Sequence, residues 1–203
     1  MCTLHKNSQL EKENMEAILK QIKDPELLSQ LEKVIPFHGF LTSGALIGIQ
    51  MLNIARKVLD ARDGERLYVT CETKNCMPDP FQILAGATTG NGGLKLKDFG
   101  KMAATVNKQV PYGVHIVKGV RIILDPEKTK AYPKLHAWYL NTGKFRHEEV
   151  VPILLDAGEK VYSWQPVDIE VPVRSKKRIQ ACKACGEMFI QHDNELLCGG
   201  CTE

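Results

Sequence analysis

Long apolar runs are missing from this 203-residue chain. None approaches the roughly 18 consecutive apolar residues of a membrane span. The opening stretch, MCTLHKNSQLEKEN, has no apolar segment of the kind an export signal carries, so a cytoplasmic protein is expected. Strong charge of one sign is missing too. The formal net charge of +3 is too small to point to a nucleic-acid partner by itself. Internal repeats and low-complexity tracts are absent. What remains, 43% hydrophobic and 25% charged residues, is the composition of an ordinary soluble globular protein, with enough length for one sizeable core and an appendage.

Cysteine is not scarce, and its spacing is the most specific signal in the chain. Cys182 and Cys185 form one pair, Cys198 and Cys201 a second, and twelve residues separate them. A two-residue gap lets both sulfurs of a pair bend back onto one point. Two such knuckles offer four thiolates in a tetrahedron, the arrangement Zn²⁺ favours. Gly186 supplies a position for φ > 0, which turns backbone N–H groups toward a sulfur. A segment this short buries too little apolar surface to fold alone, so metal binding would supply its folding free energy. Disulfides need an oxidising compartment, and seven cysteines with four in metal-type spacing fit a reducing one. A [4Fe–4S] cluster uses a tighter cysteine run followed by proline, absent here. Rubredoxin-like iron would use the same four sulfurs as zinc. A closed Cys₄ site has no open position for a substrate, so its expected role is structural.

Periodicity organises the rest. Ser8 and Glu11 form a capping box for a first helix whose apolar face runs from Leu10 to Ile22. Asp24-Pro25 opens a second helix, expected to stop at Pro36. Thr42 or Ser43 caps a third through Ala61, with Gly44 and Gly48 permitting close approach of another backbone or a ligand. Leu67 to Cys71 alternates as a strand. Asp79 as N-cap with Pro80 opens a short helix, and glycines 90, 92 and 93 make a tight turn after it. Strands are predicted at 93–99, 102–107, 114–118, 120–124 and 169–173, helical segments from Asp125-Pro126 to Tyr139 and over 150–156. This order indicates an α+β fold, helices around a mainly antiparallel sheet, with a small zinc-ribbon or treble-clef-like module at the C-terminal end. The core domain is placed at 1–173, a basic linker containing Arg174-Ser-Lys-Lys-Arg178 at 174–180, and the Cys₄ finger at 181–203.

Three loops concentrate chemistry-bearing residues. The first is Phe37-His38-Gly39-Phe40-Leu41-Thr42-Ser43-Gly44, the second Cys76-Met77-Pro78-Asp79-Pro80-Phe81-Gln82, the third Thr88-Thr89-Gly90-Asn91-Gly92-Gly93 followed by Lys97, Asp98, Gly100 and Lys101. His38 and Cys76 are expected in one cleft, where two helix N-termini and a glycine turn converge N–H groups on an anionic or carbonyl-bearing ligand. Lys101 would add charge. Each loop also has a structural reading: a capped histidine, a buried thiol, and a turn that lacks the order of a phosphate loop.

Taken in order, FHGFLTSG, LYVTCET, NCMPDPFQILAGATTGNGGL and KDFGKMA resemble the FmdE family of formylmethanofuran dehydrogenase proteins over about residues 36–107, and the CxxCG…CxxC tail resembles the zinc finger many members append. The family's FHGH-x-CPG appears here with His38, Gly39 and Gly44 but with Phe40, Thr42 and Ser43 for histidine, cysteine and proline. C-x-x-D-x-x-Q is retained as Cys76, Asp79 and Gln82. The glycine segment keeps Thr88, Gly90 and Gly92, with Ala87 in place of a cysteine, and D-[YF]-G-K is matched by Asp98 to Lys101. The resemblance implies catalytic-type positions at His38, Cys76, Asp79 and Lys101, ligand contacts at Thr88, Gly90 and Gly92, and a homodimer. It also implies association with the oxidoreductase complex that reduces CO₂ onto methanofuran. The redox centres of that complex, a pterin-held metal and iron–sulfur clusters, find no binding residues here. The first expectation is therefore an accessory or orphan member with structural Zn²⁺ and a reduced core site, holding at most a second, weaker metal at His38 and Cys76. Two alternatives stand beside it: a zinc-ribbon nucleic-acid-binding protein using the basic stretch, and a free-standing metallo-enzyme using His38 and Cys76. Glu187, Asp193, Glu195 and the single aromatic Phe189 argue against nucleic acid.

Overall fold

The computed structural model describes residues 9–62, 64–110, 113–171, 177–191 and 194–202. Helix α1, Gln9–Leu19, is the first predicted helix; its capping residue Ser8 lies outside the described residues. Helix α2, Pro25–His38, begins as expected: the Asp24 carboxylate accepts the N–H groups of Glu26 and Leu27 at 2.9 and 3.3 Å. Pro36 does not stop it. A proline this near the end removes one intrahelical bond, while Leu31 and Val34 hold the helix in the core. The stop is Gly39, whose φ of +100° turns the chain out while its N–H closes on the Ile35 carbonyl at 2.8 Å.

Helix α3, Ser43–Val58, is the centre of the fold and is buried on nearly every side along its first three turns. The Thr42 hydroxyl caps it by accepting the Ala45 N–H at 3.1 Å. It ends at Val58 rather than Ala61, because Asp60 takes a left-handed φ of +47° that a helix cannot continue.

One face of a five-stranded sheet packs on this helix. The order is β2-β1-β3-β4-β5, with β1 Leu67–Cys71, β2 Leu94–Leu96, β3 Ala103–Lys108, β4 Ile116–Leu124 and β5 Tyr162–Glu170. β1 and β2 are parallel, joined through helix α4, Pro78–Ala85; every other pairing is antiparallel. The sheet is thus mixed and mostly antiparallel. Two predicted strands, 114–118 and 120–124, are one. Gly119 lies in mid-strand opposite Asn107 and Val167, and a Cβ there would come within 2.8 Å of the Val106 carbonyl. The glycine permits close approach rather than marking a break. The last strand begins at Tyr162, seven residues before the predicted 169. Its alternation is hidden by Gln165, Pro166 and Asp168 on an edge strand.

Helices α5 Pro126–Thr129, α6 Pro133–Tyr139 and α7 His147–Ala157 complete this part. Asp125 caps α5 as expected, accepting the Glu127 N–H at 2.8 Å. Asp79, predicted to cap α4, does not. Met77 occupies the cap without a side-chain bond, Pro78 takes the first helical position, and Asp79 lies inside the helix. The apolar core gathers Leu46, Ile49, Leu52, Phe81, Val106, Ile122, Leu154 and Tyr162. At its edge Glu72, 7% exposed, accepts Arg121 Nε and Nη2 at 2.7 and 2.8 Å.

The chain divides into two compact units, Met1–Glu170 and Val171–Glu203. The second contains an antiparallel hairpin of β6, Arg178–Ala181, and β7, Met188–Gln191. Arg178, Ile179 and Gln180, read from sequence as linker, belong to β6; residues 174–176 lie outside the described residues.

Candidate metal centre and core site

In the second unit the first cysteine pair lies in the reversal between β6 and β7. Cys182 leaves β6 and pairs its N–H with the Glu187 carbonyl at 2.8 Å, closing the first knuckle. Gly186 sits at its tip with φ +77°. The ligand atoms of Cys182, Cys185, Cys198 and Cys201 all lie within 4.8 Å of one another. Cys185 Sγ and Cys198 Sγ are 3.8 Å apart. A tetrahedron with Zn–S near 2.3 Å has sulfurs about 3.8 Å apart, so the donor set fits such an ion in type and spacing. The surroundings favour thiolate. The N–H groups of Cys185, Cys198 and Ala184 draw the Cys182 thiol down to about 6, with Cys198 N donating at 3.3 Å. Cys201 is pushed up to about 12 by the sulfurs of Cys198, Cys185 and Cys182. Four thiolates repel at this spacing; a divalent cation at their centre lets all four ionise together.

In the first unit His38 pairs with Asp79, and Cys76 lies beside the first turn of α3 at Gly44. His38 Nδ1 lies 2.6 Å from Asp79 Oδ2. A carboxylate only accepts, so that nitrogen carries a proton and Nε2 is left for other partners. Gln82 Nε2 donates to the other Asp79 oxygen at 3.4 Å. The i, i+3 spacing of Asp79 and Gln82 on α4 thus orients the carboxylate toward His38. Cys76 lies just before α4 with a φ of +45°, a strained value for a residue with a Cβ. The segment it begins lies against α3 at the two glycines. A Cβ on Gly44 would stand 3.0 Å from Cys76 Cβ, and one on Gly48 would stand 2.6 Å from the Met77 carbonyl. The close approach read from Gly44 and Gly48 is therefore this one.

A second histidine enters from α7. The backbone N–H of Ser43 donates to His147 Nδ1 at 3.2 Å, and Ser43 Oγ lies 3.1 Å from the same nitrogen. An N–H can only donate, so a neutral His147 carries its proton on Nε2. Phe40 lies between the imidazoles, its ring centroid 5.6 Å from that of His38 and 6.1 Å from that of His147. The sequence did not single out His147. Its one local signal is position at the start of an apolar helix, with Glu149 closing the cap on the Arg146 N–H at 3.0 Å.

The remaining predicted residues have described contacts of their own. The Thr88–Gly93 turn is built around Asn91. Asn91 Oδ1 accepts the N–H groups of Thr88 and Gly93 at 3.1 and 2.8 Å, and the Thr88 hydroxyl accepts the Asn91 N–H at 3.1 Å. Gly92 N–H closes on the Thr89 carbonyl. These donors converge on the turn itself rather than on an outside anion, and no described contact joins Thr88, Gly90 or Gly92 to His38. Lys101 is exposed, with its N–H on the Glu72 carbonyl and its ammonium 5.9 Å from the Phe99 ring centre. Among the described residues, the four cysteines are the one group of three or more Cys, His, Asp or Glu side chains so gathered. At the α3 N-terminus, the first N–H serves His147 and the third serves Thr42, so anion binding there has two fewer donors than the sequence suggests.

Residues 37–170 match the family model described as FmdE, molybdenum formylmethanofuran dehydrogenase operon. The chain belongs to the FmdE family. A similar solved structure is a tungsten formylmethanofuran dehydrogenase FmdE-like protein from Syntrophus aciditrophicus. It shares 28% identity at a TM-score of 0.70, with coverage of 87% of this chain and 91% of that one. A probable S-adenosyl-L-methionine-binding protein from Archaeoglobus fulgidus is 27% identical over 179 residues, 76% of this chain and 47% of that protein. The chain thus spans about half the length of that curated relative. No helix among the described residues is long and apolar enough to cross a membrane.

Proposed function

We propose that this FmdE-family protein is an accessory, cytoplasmic member that carries one structural Zn²⁺ on Cys182, Cys185, Cys198 and Cys201 and has a reduced core site. It has no redox centre of its own, forms a homodimer, and serves a larger oxidoreductase complex. Zinc would close the ribbon as a four-thiolate structural ion, and the chain's own groups orient those thiolates.

The observation that supports a reduced site is what stands where the resemblance places further soft ligands. Thr42, in place of a cysteine, spends its hydroxyl on the helix cap. Phe40, in place of a histidine, packs between two imidazoles. Ala87, in place of another cysteine, is fully buried, and its Cα would stand 2.9 Å from a Cβ on Gly93. Each replacement has a structural role, and His38 with Asp79 and Cys76 remains. Such a set can position a small polar ligand or bind a metal weakly.

Elemental analysis of the full-length protein and two variants tests this reading. The wild type should contain one zinc per chain and no molybdenum, tungsten or iron. Cys185→Ser should contain none, and His38→Ala should retain the full amount. A second metal that survives Cys185→Ser and disappears with His38→Ala would show a complete core centre and overturn the reduced-site reading.

A further inference from the structure

The edge of the sheet at β2 displays a surface that neither the metal centre nor the core site uses. β2 is the terminal strand of the five, paired among the described residues with β1 alone. It reads Leu94, Lys95, Leu96, and runs on into Lys97, Asp98, Phe99, Gly100 and Lys101. Leu94 is buried, but Leu96 is 45% exposed and Phe99 62% exposed. The Phe99 ring is not out by default. Its N–H donates to the Glu72 carbonyl at 3.0 Å and the Lys101 N–H donates to the same oxygen at 3.1 Å. Gly100 between them takes φ +67°, a left-handed value that reverses the chain there. Glu72 is itself held by Arg121. The loop is pinned at its base, with its aromatic ring facing outward.

The charge around this apolar pair is mostly positive. Lys95, Lys97 and Lys101 are exposed, and none forms an ion pair with a described acidic residue. Asp98, the one acid in the loop, is held by Lys74 at 2.9 Å. Lysines on an edge strand discourage sheet-to-sheet association, which accounts for Lys95 and Lys97 alone. It does not account for two large exposed apolar side chains fixed on the same edge. Pairing with a second copy would set this lysine row against itself, since like charges opposed across a strand pair destabilise it.

We propose that this edge is a docking site for an extended acidic segment of a partner protein, which adds a strand beside β2. The Leu94 N–H is held by the Thr88 carbonyl at 3.0 Å, so the backbone of Leu96, which faces away from β1, supplies the pairing; Leu96 and Phe99 receive the segment's apolar side chains, and Lys95, Lys97 and Lys101 meet its carboxylates. A ring held rigidly at the centre of a charged rim has the character of an interface anchor. The proposal is independent of the state of the metal centre.

The test is selection of a random heptapeptide library on the full-length protein, with binding then measured by fluorescence anisotropy on synthetic copies of the enriched peptides. The enriched peptides should be acidic with an apolar residue at every second position. Phe99→Ala and the double variant Lys95→Glu/Lys97→Glu should each weaken them about tenfold or more. Both changes lie on exposed side chains, and unchanged thermal melts confirm that the variants are folded. No enrichment, enrichment of basic or uncharged peptides, or equal binding to the variants would overturn the proposal. Preferential binding of a single-stranded oligonucleotide, lost with the same lysines, would overturn it in favour of a nucleic-acid surface.

Discussion

The two units of this chain solve the folding problem in opposite ways. In the first, apolar side chains from helices and strands alike disappear into one core, with Leu46, Ile47, Ile49, Met51 and Leu52 of α3 at 0% exposure. In the second, the hairpin leaves Ile179 at 63% and Met188 at 67% exposure, and Cys182 is its one described buried apolar residue. Burial stabilises roughly 25 cal/mol for each Å² of apolar surface removed from water. A unit with so little buried surface must draw stability from elsewhere, and the four sulfurs are the available source. One unit is held by packing; for the other we propose coordination by its four cysteines.

Damage to packing should therefore register in the first unit and leave metal content alone. Phe81→Ala opens a cavity at a fully buried site of α4 and should cost about 4 kcal/mol in chemical denaturation, with zinc still stoichiometric. Glu72→Gln should cost about 2 to 3 kcal/mol, because it leaves the Arg121 charge without its partner at a largely buried position. The sign of its pH dependence follows from the shift. Hydrogen bonds from Arg121 hold the Glu72 carboxyl below the ordinary value of 4.5. Its contribution is present above that value and is lost as pH falls through the lower folded value. The wild type should lose this increment as pH falls below 4.5, and Glu72→Gln should not.

Smaller effects sharpen the contrast around α3. Gly48→Ala would place a methyl 2.6 Å from the Met77 carbonyl and should cost about 2 kcal/mol, measured as a lower denaturation midpoint. It should also disturb the His38–Asp79 pair, visible as altered histidine ring resonances, because Met77 and Asp79 share one short segment. Asp125→Ala removes the cap of α5 and the acceptor of the Ser163 hydroxyl, and should cost about 1 kcal/mol.

The contrast also explains what could be read from residue order. The metal centre is local: two pairs, each spanning four residues, with a glycine beside the first. Caps are local too, so Asp24-Pro25, Thr42 and Asp125-Pro126 are legible as helix starts. Asp79-Pro80 carries the same local signature and misleads, because Pro78 starts the helix and the carboxylate is drawn to His38, 41 residues earlier. Ser43 and His147 are 104 residues apart, Glu72 and Arg121 49. No spacing rule reaches that far; only the fold brings them together. Gly119 illustrates a third case, where a residue that ends strands elsewhere serves here to let two strands approach.

Hydrogen exchange of the full-length protein, with and without a strong zinc chelator, tests the division between packing and coordination most directly. On chelation the amides of β6 and β7, including Ile179 and Ile190, should lose all protection, while those of β1, β3 and β4 keep theirs within error. Equal loss of protection in Val69, Val106 and Val120 would show that the metal supports the core as well, and would contradict the account.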